Sequence, residues 1–323
     1  MKALAIVSTL LALVVISLGA YTRLTDAGLG CPDWPGCYGH LTVPAQEQAE
    51  QLQIAFPERP LEPEKAWNEM IHRYVAGGLG LLVLAMAILA WKQRDGPVGL
   101  PSLLLLLVIF QAALGMWTVT MNLMPVVVLA HLLGGFATFC LLLLLVVRLL
   151  PLRIPGGDAE LRRFSGLSLA VLLALVLQIV LGGWTSTNYA ALACTELPFC
   201  ENGWLARLDF SAFQLWQPGH ENYEFGVLDY AGRMTIHVVH RLWAIVVLGM
   251  LLWFSWRLFN CASSRFFRRT ALALVGLLLL QVGLGISNVV LSLPLPVAVA
   301  HNVVAACLLG LLVITNYALL RKA

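Results

Sequence analysis

Glu69-Met70-Ile71-His72-Arg73 places a carboxylate, an imidazole and a guanidinium at the start of a run, 71–91, that is otherwise almost wholly apolar. Ionisable side chains are expensive in a bilayer, so each group here is a functional candidate. The arrangement returns 168 positions later, where His237-Val238-Val239-His240-Arg241 opens another apolar run. His131 and His301, 170 positions apart, occupy similar settings. A lone histidine in such a run is more often a polar group satisfied in a helix contact. Four of them, His72, His131, His240 and His301, repeating at one depth near the ends of even-numbered spans, favour metal ligation. Paired neutral imidazoles are what a six-coordinate haem iron takes from a protein. A di-metal site is disfavoured, because Asp and Cys are missing from the spans at that depth.

Around these ligands stand groups of other chemistry. Glu69 precedes His72 by three residues, so on a helix it projects from the same face, where a carboxyl can accept or donate protons. The alternative for Glu69 is an acid favoured by the helix dipole at a helix start. The matching position in the second half is His237, a difference that breaks the symmetry between halves. Arg73 and Arg241 each follow a ligand candidate directly; they either pair with haem propionates through bidentate bonds or snorkel to lipid headgroups. Cys31 and Cys37, and Cys194 and Cys200, are pairs with five intervening residues. Each pair can close a short disulfide in an oxidising compartment, and Cys31–Cys37 can alternatively act as a redox-active dithiol. Gln111, Gln178 and Gln281, each followed four residues later by glycine, read as helix-packing positions.

The elements that must position these groups follow from composition. Of 323 residues, 60% are hydrophobic and only 11% charged, with mean hydropathy +0.84. A soluble domain carries about 25% charged residues, so an integral membrane protein is expected. Runs of about 20 apolar residues cross a hydrocarbon core. Eight are found, at 3–20, 69–91, 101–121, 126–147, 164–187, 232–256, 270–291 and 297–319, with Pro125 and Pro296 suited to first helical turns. Placing the N-terminus inside puts 13 of the 20 basic residues and three of the 17 acidic ones on the cytoplasmic side. The inner balance is then +10 and the outer −7, which together give the net +3. Both termini are therefore expected in the cytoplasm and both cysteine loops outside. Leu18-Gly19-Ala20 resembles a signal-peptide processing site, but the internal repeat argues that the first span is retained.

That repeat covers nearly the whole chain. Cys31 to Cys37 aligns with Cys194 to Cys200, and Gly19-Ala20-Tyr21-Thr22 with Gly182-Gly183-Trp184-Thr185, at an offset of 163. Gln111-Ala112-Ala113-Leu114-Gly115 aligns with Gln281-Val282-Gly283-Leu284-Gly285 at 170. The expected fold is an all-α integral membrane protein, eight transmembrane helices in two tandem four-helix bundles. An even number of spans per half gives a parallel repeat, with a pseudo-two-fold axis along the membrane normal. The halves are 1–150 and 164–323, joined by a cytoplasmic linker over 151–163 that is rich in Pro and Gly. Cofactor sites of such bundles lie in the interior, with the two histidines of each half on neighbouring helices.

The chain resembles the haem A synthase family through Gly19-Ala20-Tyr21-Thr22-Arg23-Leu24-Thr25, Gly28 to Cys37, Glu69 to Arg73, Ala130-His131, His240-Arg241 and Ala300-His301-Asn302. The resemblance implies oxidation of the C8 methyl of haem O to the formyl of haem A by successive hydroxylation, in cytochrome oxidase assembly. It implies that His240 and His301 ligate a resident haem B, that His72 and His131 line the substrate-haem site, and that Glu69 is essential to turnover. It further implies a bacterial-type inner membrane, haem O supplied by haem O synthase, and a role for Cys31 and Cys37 in electron or haem transfer.

The competing reading is a di-haem b-type cytochrome that passes quinol electrons outward without modifying haem; a haem-free transporter or assembly scaffold is a third. Haem O synthase activity itself is disfavoured, since farnesyl transfer wants Asp-rich magnesium motifs that the spans lack. Membrane lipid and an electron donor are the remaining expected partners, a second copy of the chain is an option, and no nucleic-acid signature is present.

Overall fold

The computed structural model of the chain describes residues 1–93, 98–150, 159–197 and 200–320. The proline- and glycine-bearing part of the expected linker, 151–158, lies outside them. So do Pro198 and several charges used for orientation: Arg94, Asp95, Arg153, Asp158, Arg321 and Lys322. The described chain is helical, with nine α-helices and no strand beyond an isolated bridge between Cys37 and His40. They are α1 (Lys2–Leu24), α2 (Ala49–Ala55), α3 (Pro63–Lys92), α4 (Gly99–Thr120), α5 (Pro125–Leu149), α6 (Ser165–Thr187), α7 (Tyr230–Cys261), α8 (Arg265–Val290) and α9 (Leu295–Leu320). All except α2 are long and apolar enough to cross a membrane, which matches the eight expected spans.

Local chemistry explains the ends. Pro63 and Pro125 sit in the first turns of α3 and α5, where a missing N–H costs nothing. Asp229 caps α7 by accepting from the N–H of Gly232 at 2.8 Å, and the Ser264 side chain caps α8. α3 begins six residues before the expected span, because its first turns carry Glu64 and Lys65 and hold no apolar signal. At about 1.5 Å per residue its 30 residues extend well past a 30 Å hydrocarbon core.

The repeat is visible in the backbone four times over. α1, α4, α6 and α8 each end in a residue of positive φ, Asp26, Asn122, Tyr189 and Ser292 (50°, 46°, 53° and 55°). Each such turn closes with a backbone bond to a residue five earlier: Ala27 to Thr22, Leu123 to Thr118, Ala190 to Thr185 and Leu293 to Asn288.

α1, α3, α4 and α5 pack as a ring in that order, and α6, α7, α8 and α9 form a second. The rings meet where α1 touches α9 and α5 touches both α6 and α9. Exchanging α1 with α6 and α5 with α9 leaves these contacts unchanged, a pattern compatible with the expected pseudo-two-fold axis. At the centre Gly310 lies against Phe139 and Leu143, a close approach that a side chain would block. Outside the rings, Leu81, Leu106, Ile109 and Leu279 are exposed, as lipid-facing residues are.

Candidate functional site

Each of the four candidate histidines is carried by the second helix of a pair and packs on a glycine of the first. An ideal Cβ at Gly19 would stand 3.0 Å from Cε1 of His72, at Gly115 3.4 Å from that of His131, at Gly182 3.0 Å from that of His240, and at Gly285 3.2 Å from that of His301. Glycine is what allows an imidazole to lie on the neighbouring backbone. All four glycines stand seven residues before the positive-φ turn, so the four imidazoles share one depth.

The helices that bear them, α3 and α5 in one ring and α7 and α9 in the other, lie diagonally across their rings rather than side by side. This corrects the expectation of neighbouring helices: the intervening helices supply the glycines, so each pair faces across the bundle centre. The rings of His72 and His131 have centroids 6.4 Å apart at 86°. A metal bound at about 2 Å to one nitrogen of each imidazole sets ring centres roughly 6 Å apart, so the pair fits a metal held between them. Nδ1 of His72, His131 and His301 is buried and has no hydrogen-bond partner within the chain. Such atoms are costly to bury bare. His240 lies within electrostatic reach of His301. Among the described residues no cluster of three or more His, Cys, Asp or Glu stands at metal-binding spacing. Each half brings two imidazoles together, a donor set that would suit an iron carrying further donors of its own.

Above each pair, a disulfide-closed loop is tied to the histidine-bearing helix. Cys31 and Cys37 are bonded, as are Cys194 and Cys200. In the N-terminal half Arg73 donates to the carbonyls of Asp33, at 3.0 Å, and Gly36, and its other nitrogen meets Glu69. Glu69 is only 5% exposed and also accepts from the Cys31 N–H at 2.9 Å. Gly30 brings the loop this close: a Cβ there would stand 2.6 Å from the backbone of Lys65. Asp33 fastens the loop internally by accepting from the N–H groups of Tyr38 and Gly39. Tyr38 donates to the carbonyls of Arg59 and Pro60, and burial raises its phenol above the usual range.

In the C-terminal half Arg241 does the corresponding work, donating to the carbonyls of Cys194 and, at 2.7 Å, Glu196. Its Nε meets Nε2 of His237 at 3.2 Å. Glu69 and His237 thus hold the same place, each four residues before an arginine that clamps a loop. Fastening of the cysteine loops is a role for Arg73 and Arg241 that neither sequence reading contained. It depends on contacts 37 to 47 residues away along the chain. The Gly–His packing was also missed, although the spacing Gly-x-x-Thr at 19, 115 and 182 carries its signal.

The halves are joined on the cysteine-loop side. Arg23 donates to the Ser186 carbonyl at 2.6 Å and lies 3.8 Å over the ring of Tyr189, whose phenol is raised chiefly by burial. Arg59 pairs with Glu224 at 3.0 Å, and Asn122 donates to the Glu221 carbonyl.

These features define a polytopic membrane protein built from two rings of helices, each with a diagonal histidine pair beneath a disulfide loop. The chain belongs to the COX15-CtaA family, described as cytochrome oxidase assembly protein, whose model matches residues 2–313. It is similar to the heme A synthase of Shewanella oneidensis, 56% identical over 313 residues that cover 96% of this chain and 94% of that protein. The heme A synthase of Beijerinckia indica is 30% identical over 94% of this chain and 88% of its own length. That of Bacillus licheniformis is 28% identical over 97% and 93%.

Proposed function

We propose that the chain is a haem A synthase that oxidises the C8 methyl of haem O to a formyl group by successive hydroxylation. In this reading the N-terminal half holds substrate haem O between His72 and His131, and the C-terminal half holds haem B between His240 and His301 for electron transfer. The carrying observation is a chemical difference between the two matched sites: a buried carboxylate, Glu69, where the other half has His237. The similarity to proteins named heme A synthase supports the same reading.

When bound, the haem iron supplies the oxidising chemistry. The chain's residues orient the group and manage protons. His72 and His131 fix it across the bundle centre, and the helices exclude water from it. Glu69, one turn before His72, can hold or pass a proton at the carboxylate that Cys31 and Arg73 keep in place. The charge asymmetry of the loops supports cytoplasmic termini, outer cysteine loops and a cell inner membrane. Haem O synthase as supplier, an electron donor, membrane lipid and self-association complete the proposed partners.

The test is mass spectrometry of haems extracted from the native chain and from Glu69→Gln, each co-expressed with a source of haem O. Haem B with haem A or a hydroxylated haem O in the native sample, and unreacted haem O in the variant, is the expected result. Haem B alone in both, with haem O available, overturns the synthase reading in favour of a di-haem electron carrier.

A further inference from the structure

One to two turns along from the histidines, the two rings of helices differ in volume. On the histidine-bearing helices Gly80, Gly134, Gly135 and Thr138 stand where the C-terminal ring has Leu248, Val304, Ala305 and Leu308. Leu79, opposite Val247, differs by one methylene in the reverse direction. Gly135 follows His131 by four residues and so lies on the same inward face. An ideal Cβ there meets no atom within 4 Å, and one at Gly80 meets only Cγ1 of Val108, at 3.5 Å. In the C-terminal ring the matching places are filled: Leu308 is buried, and Leu248 and Ala305 pack on the central core. Further along the faces of His72 and His131, Val83 and Leu142 are fully buried, so the opening leads to hydrocarbon.

A polar group stands at the same place. The Gln111 amide lies against Gly134, where an added Cβ would collide with Nε2, and that buried nitrogen has no hydrogen-bond partner. In the other half Val304 replaces Gly134, and the Gln281 amide lies 3.3 Å from Nε2 of His301 instead. A buried donor left bare is costly. A ligand that brings an acceptor to Gln111 removes that cost.

Haem O is haem B extended by a farnesyl chain on a hydroxyl-bearing carbon. Resting on the two-site reading above, we infer that the N-terminal ring is the one shaped to admit this chain. Gly80, Gly135 and Thr138 leave the space in which the chain lies, and the Gln111 amide donates to its hydroxyl. Leu248, Val304, Ala305 and Leu308 fill the corresponding space and leave room only for a haem without the chain. Choice between two haems of the same iron chemistry is then a difference of affinities set by volume beside the ligands, with the tail excluded from one site by bulk.

The experiment uses the full chain, purified in detergent from cells that make no haem O, as the native protein and as Gly135→Leu, Thr138→Leu and Gln111→Leu. Each is titrated with haem B and with haem O, and uptake of a second haem per chain is read from the Soret absorption. The native chain is expected to take up haem O at least about 10-fold more tightly than a second haem B. Each methylene kept out of apolar surroundings is worth about fourfold in affinity. Gly135→Leu and Thr138→Leu should therefore weaken haem O uptake about 10–100-fold and leave haem B uptake unchanged. Gln111→Leu, which removes the donor, should weaken haem O alone by about 3–10-fold. Haem O bound by both Gly135→Leu and Thr138→Leu as tightly as by the native chain, or haem B and haem O weakened alike in both, overturns the inference and leaves the two-site reading intact. A native chain that takes up no second haem of either kind removes that reading and the inference together.

Discussion

The two halves share helices, turns, glycine–histidine packing and arginine clamps, yet they differ in the side chains beside their histidine pairs. The N-terminal half places a buried carboxylate beside its histidine pair and no amide within reach of it; the C-terminal half places His237 there and an amide against each imidazole. Duplication of a scaffold therefore need not duplicate chemistry. A few side chains on a common backbone give the two histidine pairs different surroundings.

The largest effect expected from breaking this comparison is at the glycines. Gly182→Val puts a branched side chain where a Cβ already stands 3.0 Å from the His240 ring, and Gly19→Val does the same to His72. The first should abolish the resident haem, and the second should abolish only haem O binding; haem-to-protein stoichiometry by pyridine haemochromogen separates them.

Next come the arginines. Arg73→Ala strands a buried carboxylate, at about 3–5 kcal/mol, whereas Arg241→Ala leaves a neutral imidazole and loop carbonyls unpaired, at roughly 1–3 kcal/mol. Thermal unfolding in detergent should show the larger drop for Arg73→Ala, and equal drops would mean that Glu69 is not charged in the folded protein.

Replacing either cysteine pair with serine opens a loop of the same length, so each should cost about 2 kcal/mol. Only the Cys31/Cys37 replacement should also reduce turnover, because that loop carries the N–H held by Glu69. Turnover reduced equally by both replacements would remove this distinction between the loops. The smallest effect is expected for Arg59→Ala at the junction of the halves, within about 1 kcal/mol for a partly exposed pair, with haem content unchanged.

Much of this was legible in the sequence, for physical reasons. A bilayer demands long apolar runs, so all eight spans stood out, and the fifth, 164–187, falls within one residue of α6. The polar first turns of α3 and the short α2 carry no hydropathy signal and escaped. The four histidines were legible because the repeat placed them in matching positions. Their diagonal arrangement was not, since it depends on which helices share faces. The clamp on Glu69 was likewise hidden, because the N–H it accepts from belongs to Cys31, 38 residues earlier, and Gly30 reveals its purpose only against the backbone of Lys65.

The central claim, that two matched histidine pairs serve a retained and a converted haem, is tested most directly by removing one pair at a time. His72→Ala/His131→Ala and His240→Ala/His301→Ala would each be purified from cells that make haem O, and their extracted haems identified by chromatography. The account predicts haem B without haem A or its hydroxylated precursor in the first protein, and loss of haem B in the second. The same haem missing from both proteins, or haem A still formed without His72 and His131, would contradict it.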